Sequence, residues 1–248
     1  MSNLLNKTLP VVVGKNFILD SGYPINYFKD VISSHKPYIN SVKFGWGIAI
    51  VDTNLQSKID FLRENSISFH FGGSLFEKFY YLSKLDIFLD FCLEYKPSFV
   101  EISDGTIPIS REDKTKAIKM FSSYFPVLSE VGRKDPNLSE LLSPEKWIYN
   151  INQDFDAGAT YVITEARENG VGGVCRSNGD LRLGLIEEIA DHFSSIENLI
   201  FEAPTTELQK YFILKLGNNV NLANVKFDSI LNLITLRSGL RSDTLLSF

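Results

Sequence analysis

Four glutamates recur in the same kind of place. Glu101, Glu130, Glu165 and Glu202 each stand at or just past the end of a short run of Val, Ile, Leu and Phe. Such a run buries itself, and a carboxylate carried inside with it is prohibitively costly without a partner. A group of such oxygens suits a hard cation, and Mg²⁺ is the expected ion. Asp104, close behind Glu101, joins them as a fifth candidate ligand. Carboxylates at strand ends also cap the helices that follow, an account that suits Asp104 or Glu168 singly but not the glutamates as a set. Basic residues are mixed among these acids: Lys43, Lys134 and Arg167, with Arg237 and Arg241 late in the chain. One of them alone would be a salt-bridge partner. Several near one face point to a bound phosphate or carboxylate.

Other chemistries find less support. His35, His70 and His192 show no triad or ligand spacing, and no dinucleotide-binding glycine motif, Walker loop or nucleophile elbow occurs. His70 reads first as a satisfied structural histidine, although its strand could turn it toward a site. Trp46 and the Phe-rich stretch 69–80 read as packing. The glycine-bearing loop Asn169–Asp180 is long enough to close over a ligand, and equally serves as a plain connection.

The elements that must position these residues alternate along the whole chain. Strand-like runs fall at Asn16–Ser21, Ser41–Trp46, Ser66–Phe71, Phe99–Asp104, Val127–Val131, Thr160–Ala166, Leu199–Ala203 and Val220–Val225. Amphipathic segments lie between them, such as Phe76–Tyr95, Ser110–Tyr124, Leu181–Phe193 and Glu207–Leu216, with Phe227–Leu240 last. Ser110 followed by Asp113 marks a helix start. Eight strand–helix repeats in 248 residues predict an α/β chain closed as a (β/α)8 barrel, a single domain over 1–248. A doubly wound open sheet is the runner-up. In a barrel the C-terminal strand ends converge on one face, which would gather the acids and lysines there.

Composition narrows the function further. Twenty-five basic against 30 acidic residues leave a net charge of −5, which argues against a nucleic-acid binder held by phosphate neutralisation. Two cysteines cannot build a disulfide framework or a four-cysteine zinc site. No apolar run is long enough to span a bilayer, and the first residues lack a signal peptide's apolar core. A cytoplasmic protein is expected, without membrane partners; a homo-oligomer is allowed but not required.

Several segments together resemble the phosphosulfolactate synthase family: Lys43-Phe-Gly-Trp-Gly47, Gly72-Gly-Ser-Leu-Phe-Glu77, Glu101-Ile-Ser-Asp-Gly105, Glu130-Val-Gly-Arg-Lys134, Phe201-Glu-Ala-Pro204, Val220-Asn-Leu-Ala-Asn-Val225 and Leu236-Arg-Ser-Gly-Leu-Arg-Ser-Asp-Thr244. The resemblance runs in order through nearly the whole chain. It implies a (β/α)8 barrel that adds sulfite to phosphoenolpyruvate with Mg²⁺, giving 2-phospho-3-sulfolactate on a coenzyme M route. In that setting Lys134 matches the family's proposed general acid and Lys43 is the second catalytic lysine. Arg167, Asn221, Arg241 and Ser21 would contact the small anionic substrates, and Glu101, Asp104, Glu130, Glu165 and Glu202 would supply metal ligands.

The chain also departs from the family pattern. Ser21 stands where a lysine is usual, Ile48 and Ala49 replace a Thr–Ser pair, and Phe71 replaces a proline. Leu208 replaces a glutamine and Ser238 an arginine. The acids and Lys134 persist while polar anion contacts are lost. This leaves two other readings: a member that uses a different nucleophile or enol-phosphate-like substrate, and a stress-associated relative without turnover.

Overall fold

The computed structural model describes residues 14–166 and 172–247. Its strands are β1 (Asn16–Asp20), β2 (Ser41–Phe44), β3 (Ser68–Phe71), β4 (Phe99–Ile102), β5 (Val127–Val131), β6 (Tyr161–Thr164), β7 (Leu199–Glu202) and β8 (Leu222–Lys226). Each pairs in parallel with the next, and β8 pairs back onto β1, so the sheet closes in sequence order. The open-sheet alternative is excluded. The fold is the (β/α)8 barrel that the alternation predicts.

Helices α1 (Ile25–His35), α2 (Leu55–Glu64), α3 (Gly73–Tyr81), α4 (Leu85–Tyr95), α5 (Arg111–Ser122), α6 (Pro136–Glu140), α7 (Pro144–Asp156), α8 (Leu183–His192), α9 (Thr206–Leu216) and α10 (Ile230–Arg237) fill the connections. The predicted helix Phe76–Tyr95 is two helices. The chain breaks at Ser83, held in the left-handed region at φ 55°, and re-enters at Leu85. At the start of α5, Ser110 Oγ accepts from the Asp113 N–H at 3.0 Å, the cap expected from their spacing.

Alternation along the strands sorts side chains between two cores. Phe44, Phe71, Val100, Val131 and Phe201 face outward into the shell beneath the helices. Phe17, Leu128, Ile163, Ile200 and Ala223 meet inside the barrel, with Phe99 and Tyr161 packed against them. This inner layer is the floor on which the site stands.

Candidate active site

Each of the four glutamates follows an inward-facing apolar residue by two positions: Phe99 to Glu101, Leu128 to Glu130, Ile163 to Glu165 and Ile200 to Glu202. A period of two sends residues i and i+2 to the same face, so the acids form the next layer inward and upward. Ile163 pairs with Ile200, which sets Glu165 and Glu202 level on adjacent strands. The acids line a cavity of about 640 Å³ at the C-terminal strand ends, shared with Lys43, Lys134, Trp46, Ser74 and Asn224.

Lys43 splits the acids into two groups. Its Nζ lies 2.9 Å from Glu101 Oε1 and 3.4 Å from Glu202 Oε1. Burial alone would lower the Lys43 pKa, but Glu101, Glu202 and Glu130 outweigh it and hold the ammonium above its ordinary value. Glu101 Oε1 also accepts the Gly73 N–H at 2.6 Å, and His70 Nε2 stands 3.4 Å from the other oxygen. Against the cost of burial, Lys43 and His70 keep Glu101 below the usual carboxylate range. Burial lowers His70 in turn; its Nδ1 lies 3.0 Å from Ser41 Oγ, while Glu101 Oε2, 3.4 Å from Nε2, has no hydrogen-bond partner. His70 faces the barrel interior as a structural group.

Glu130 and Glu165 lack that compensation, and Glu202 has only the longer share of Lys43. Glu130, Glu165 and Glu202 each offer an oxygen, all within 4.8 Å of one another. Glu130 Oε1 and Glu165 Oε2 are buried without a hydrogen-bond partner. Burial, then the Glu130 and Glu202 charges, push Glu165 well above the ordinary carboxylate value. Glu202 is pushed up to about 7 by burial, and by Glu130 against the opposing pull of Lys43. Its oxygens are oriented by the Asn224 side-chain amide and by the Ala166 N–H at 2.9 Å. Lys134 completes the wall: burial would lower it, but Glu130, Glu165 and Glu77 hold it above its ordinary value. Its Nζ lies 3.2 Å from Ser74 Oγ.

Glycine makes the close approach possible. A Cβ on Gly105 would stand 3.1 Å from Glu130 Oε1 and 3.3 Å from both Glu165 Oε2 and Lys134 Cε, closing the space between acids and lysine. Gly173, at φ 60°, lies against the Glu165 carbonyl, where any side chain would collide. Five lining carboxylates, Asp135 among them, face two lining ammonium groups, a formal excess of three negative charges when all are ionised. Orphaned hard oxygens with that surplus fit a divalent cation such as Mg²⁺.

Comparison with known proteins decides the family. The model of the (2R)-phospho-3-sulfolactate synthase family (ComA) matches residues 6–243. The chain is 46% identical over 235 residues to a phosphosulfolactate synthase of Bacillus subtilis, covering 95% of this chain and 93% of that one. It is 42% identical to a phosphosulfolactate synthase of Methanocaldococcus jannaschii, covering 93% of each. The chain belongs to the phosphosulfolactate synthase family. Among solved structures it is similar to 3-hexulose-6-phosphate synthase, with a TM-score of 0.59 at 10% identity over 90% of this chain and 98% of that one. A phosphonopyruvate hydrolase gives 0.55 at 12% identity over 93% and 81%. At such identities these likenesses show the barrel alone.

For this phosphosulfolactate synthase family member, an enzyme, the barrel gathers Lys43, Lys134, Glu101, Glu130, Glu165 and Glu202 at one cavity. Other expected site residues lie elsewhere. Glu101 lines the cavity but is engaged by Lys43 and Gly73, so it leaves the ligand trio. Asp104 does not line the cavity; it pairs with Lys114 at 2.8 Å and Arg133 at 3.4 Å. Asn221 precedes β8 and binds the Lys15 N–H and the Glu197 and Leu199 carbonyls, at the barrel end opposite the site. Arg241 is engaged by Asn232 and Asp243 on the outside. Arg237 is buried against Asn16 and the Asn218 and Val220 carbonyls. Ser21 is half-buried in the loop after β1 and does not line the cavity. Arg167 and the loop start fall at residues 167–171, outside the described residues. From Gly172 to Cys175 the loop is buried and bonded to the Arg133 and Glu165 carbonyls, while 176–180 is exposed.

Trp46 and Asn224 are among the lining residues that the sequence reading misses. Trp46 reads as packing, yet it is 54% exposed at the cavity mouth, with a left-handed backbone at φ 46°. Its signal was the flanking pair Gly45 and Gly47. Asn224 lies three residues beyond Asn221, also in the left-handed region at φ 55°, and orients Glu202. The two asparagines are indistinguishable without the strand boundary.

Proposed function

We propose that this family member adds sulfite to phosphoenolpyruvate in the presence of Mg²⁺, forming 2-phospho-3-sulfolactate. The observation that carries the reading is the trio Glu130, Glu165 and Glu202, the first two with unpartnered oxygens, beside two protonated lysines in one cavity. The sulfite sulfur donates an electron pair to the methylene carbon. The double-bond electrons then move onto the substrate carboxylate as an enediolate, which collapses as the phosphate-bearing carbon takes a proton. When bound by the trio, a divalent cation supplies Lewis-acid stabilisation of carboxylate charge. Lys134 remains protonated at neutral pH and stands beside the trio, placed to deliver the proton. Lys43 has three N–H donors, of which Glu101 and Glu202 take two, leaving one for a phosphate or sulfite oxygen.

The test is incubation of purified protein with phosphoenolpyruvate, sulfite and Mg²⁺, followed by ³¹P NMR and mass spectrometry. A phosphorylated sulfonate that disappears with EDTA is the expected result. Unchanged phosphoenolpyruvate across pH and metal conditions would overturn the reading.

A further inference from the structure

We propose that Asp104 and Lys114 are positioning residues that hold Lys134 in register, anchored on the main chain of Glu130, while touching neither the cavity nor its contents. Glu101 faces inward and Ile102 outward, and Asp104, in the loop after β4, is held on that outer side by Lys114 of α5. There Lys114, fully buried, directs its ammonium to three acceptors on three different elements. They are Asp104 Oδ1 at 2.8 Å in the loop after β4, Asp154 Oδ2 at 3.2 Å in α7, and the main-chain carbonyl of Glu130 in β5. Three donors meet three acceptors, which is what makes a buried ammonium tolerable.

The second oxygen of Asp104 extends the link. Arg133 Nη2 stands 3.4 Å from Asp104 Oδ2, and Arg133 Nη1 donates to the Asp104 and Ile107 carbonyls. The next residue on each side closes the circuit, because the Lys134 N–H donates to the Gly105 carbonyl at 2.9 Å. Both Lys134 and the carbonyl of Glu130 are therefore tied, directly or one residue away, to the Asp104–Lys114 pair. A misplacement of about 1 Å in a reacting group costs on the order of 100-fold in rate. The charge of Asp104 thus acts on catalysis through Lys134.

This inference rests on the roles given above to Glu130 and Lys134. The test is Asp104→Asn, which keeps size and removes charge, with Asp104→Glu as the charge-retaining control. Expected for Asp104→Asn is a fall in kcat of at least about tenfold, with KM for phosphoenolpyruvate and calorimetric Mn²⁺ affinity within about threefold of wild type. Hydrogen exchange should quicken at the Lys134 amide, and Asp104→Glu should recover part of the rate. Wild-type kcat and wild-type exchange in Asp104→Asn would overturn the proposal. So would a loss of Mn²⁺ affinity of tenfold or more, which would make Asp104 a ligand. A wild-type protein that forms no product overturns the proposed function instead, and the exchange measurement still decides the positioning role.

Discussion

The Lys43 ammonium lies 2.9 Å from Glu101 Oε1, with both side chains almost wholly withdrawn from water. Lys43 lies nearest Glu101, while Glu130 and Glu165 each keep a buried oxygen without a partner. Removing one partner of a buried pair strands the other, which typically costs about 3–5 kcal/mol. Lys43→Met should destabilise the protein by that order in urea denaturation. The double variant Lys43→Met/Glu101→Gln should recover much of the loss, since no charge is stranded at Glu101. A double variant no more stable than the single one would show that the pair is not coupled.

Glu130→Gln removes the charge behind one orphaned oxygen while keeping the side chain's size. Calorimetric titration should show Mg²⁺ or Mn²⁺ affinity weakened by at least about tenfold, a difference of ~1.4 kcal/mol. Unchanged affinity would take Glu130 out of the ligand set.

Stability should depend on pH with a definite sign when metal is absent. Glu165 and Glu202 hold protons in the folded state to higher pH than in the unfolded chain, where the ordinary value is 4.5; for Glu202 the folded value is about 7. Between those values the folded state binds more protons, so stability falls as pH rises through that window. The depressed Glu101 acts below 4.5, outside it, and the lowered His70 opposes the trend up to its ordinary 6.5, one group against two. In EDTA, melting temperature should therefore drop between about pH 5 and pH 7.5. Glu165→Gln should flatten that slope, and saturating Mg²⁺ should restore stability at the upper end. A melting temperature that climbs across this range in EDTA would contradict the arrangement.

Lys134→Met should leave phosphoenolpyruvate binding largely intact and lower turnover by about 10²–10⁴-fold, the usual worth of a placed general acid. Its proposed work begins only after the carbon–sulfur bond has formed. Near-normal turnover would mean that water or another group delivers the proton.

Trp46 and Trp147 are the protein's only tryptophans, one 54% exposed at the cavity mouth and the other fully buried. Acrylamide should quench Trp46 emission selectively, and phosphoenolpyruvate with Mg²⁺ should protect it. Trp46→Phe should abolish both the quenchable fraction and the protection. Equal quenching with and without ligand, under conditions where calorimetry shows binding, would remove Trp46 from the occupied site.

Local pattern alone determined the closed barrel and the inward layer of glutamates, because strand length and a two-residue period are properties of adjacent residues. Asp104 lies in the loop after β4, held on the outer side by Lys114; the motif that includes it concealed this. Asn221 was misplaced because the run Val220–Val225 looks uniformly strand-like, whereas β8 begins at Leu222 and leaves Asn221 at the opposite end. Tertiary structure alone decided that Lys43 lies between Glu101 and Glu202, and that Glu130, Glu165 and Glu202 bring oxygens within 4.8 Å of one another. It also placed Arg241 on the outside and Trp46 at the mouth. Those outcomes turn on distances of a few ångströms between residues on different strands, set by the stagger of the closed sheet. Coulomb energies and hydrogen bonds in a buried site change over just such distances, and no spacing along the chain encodes them.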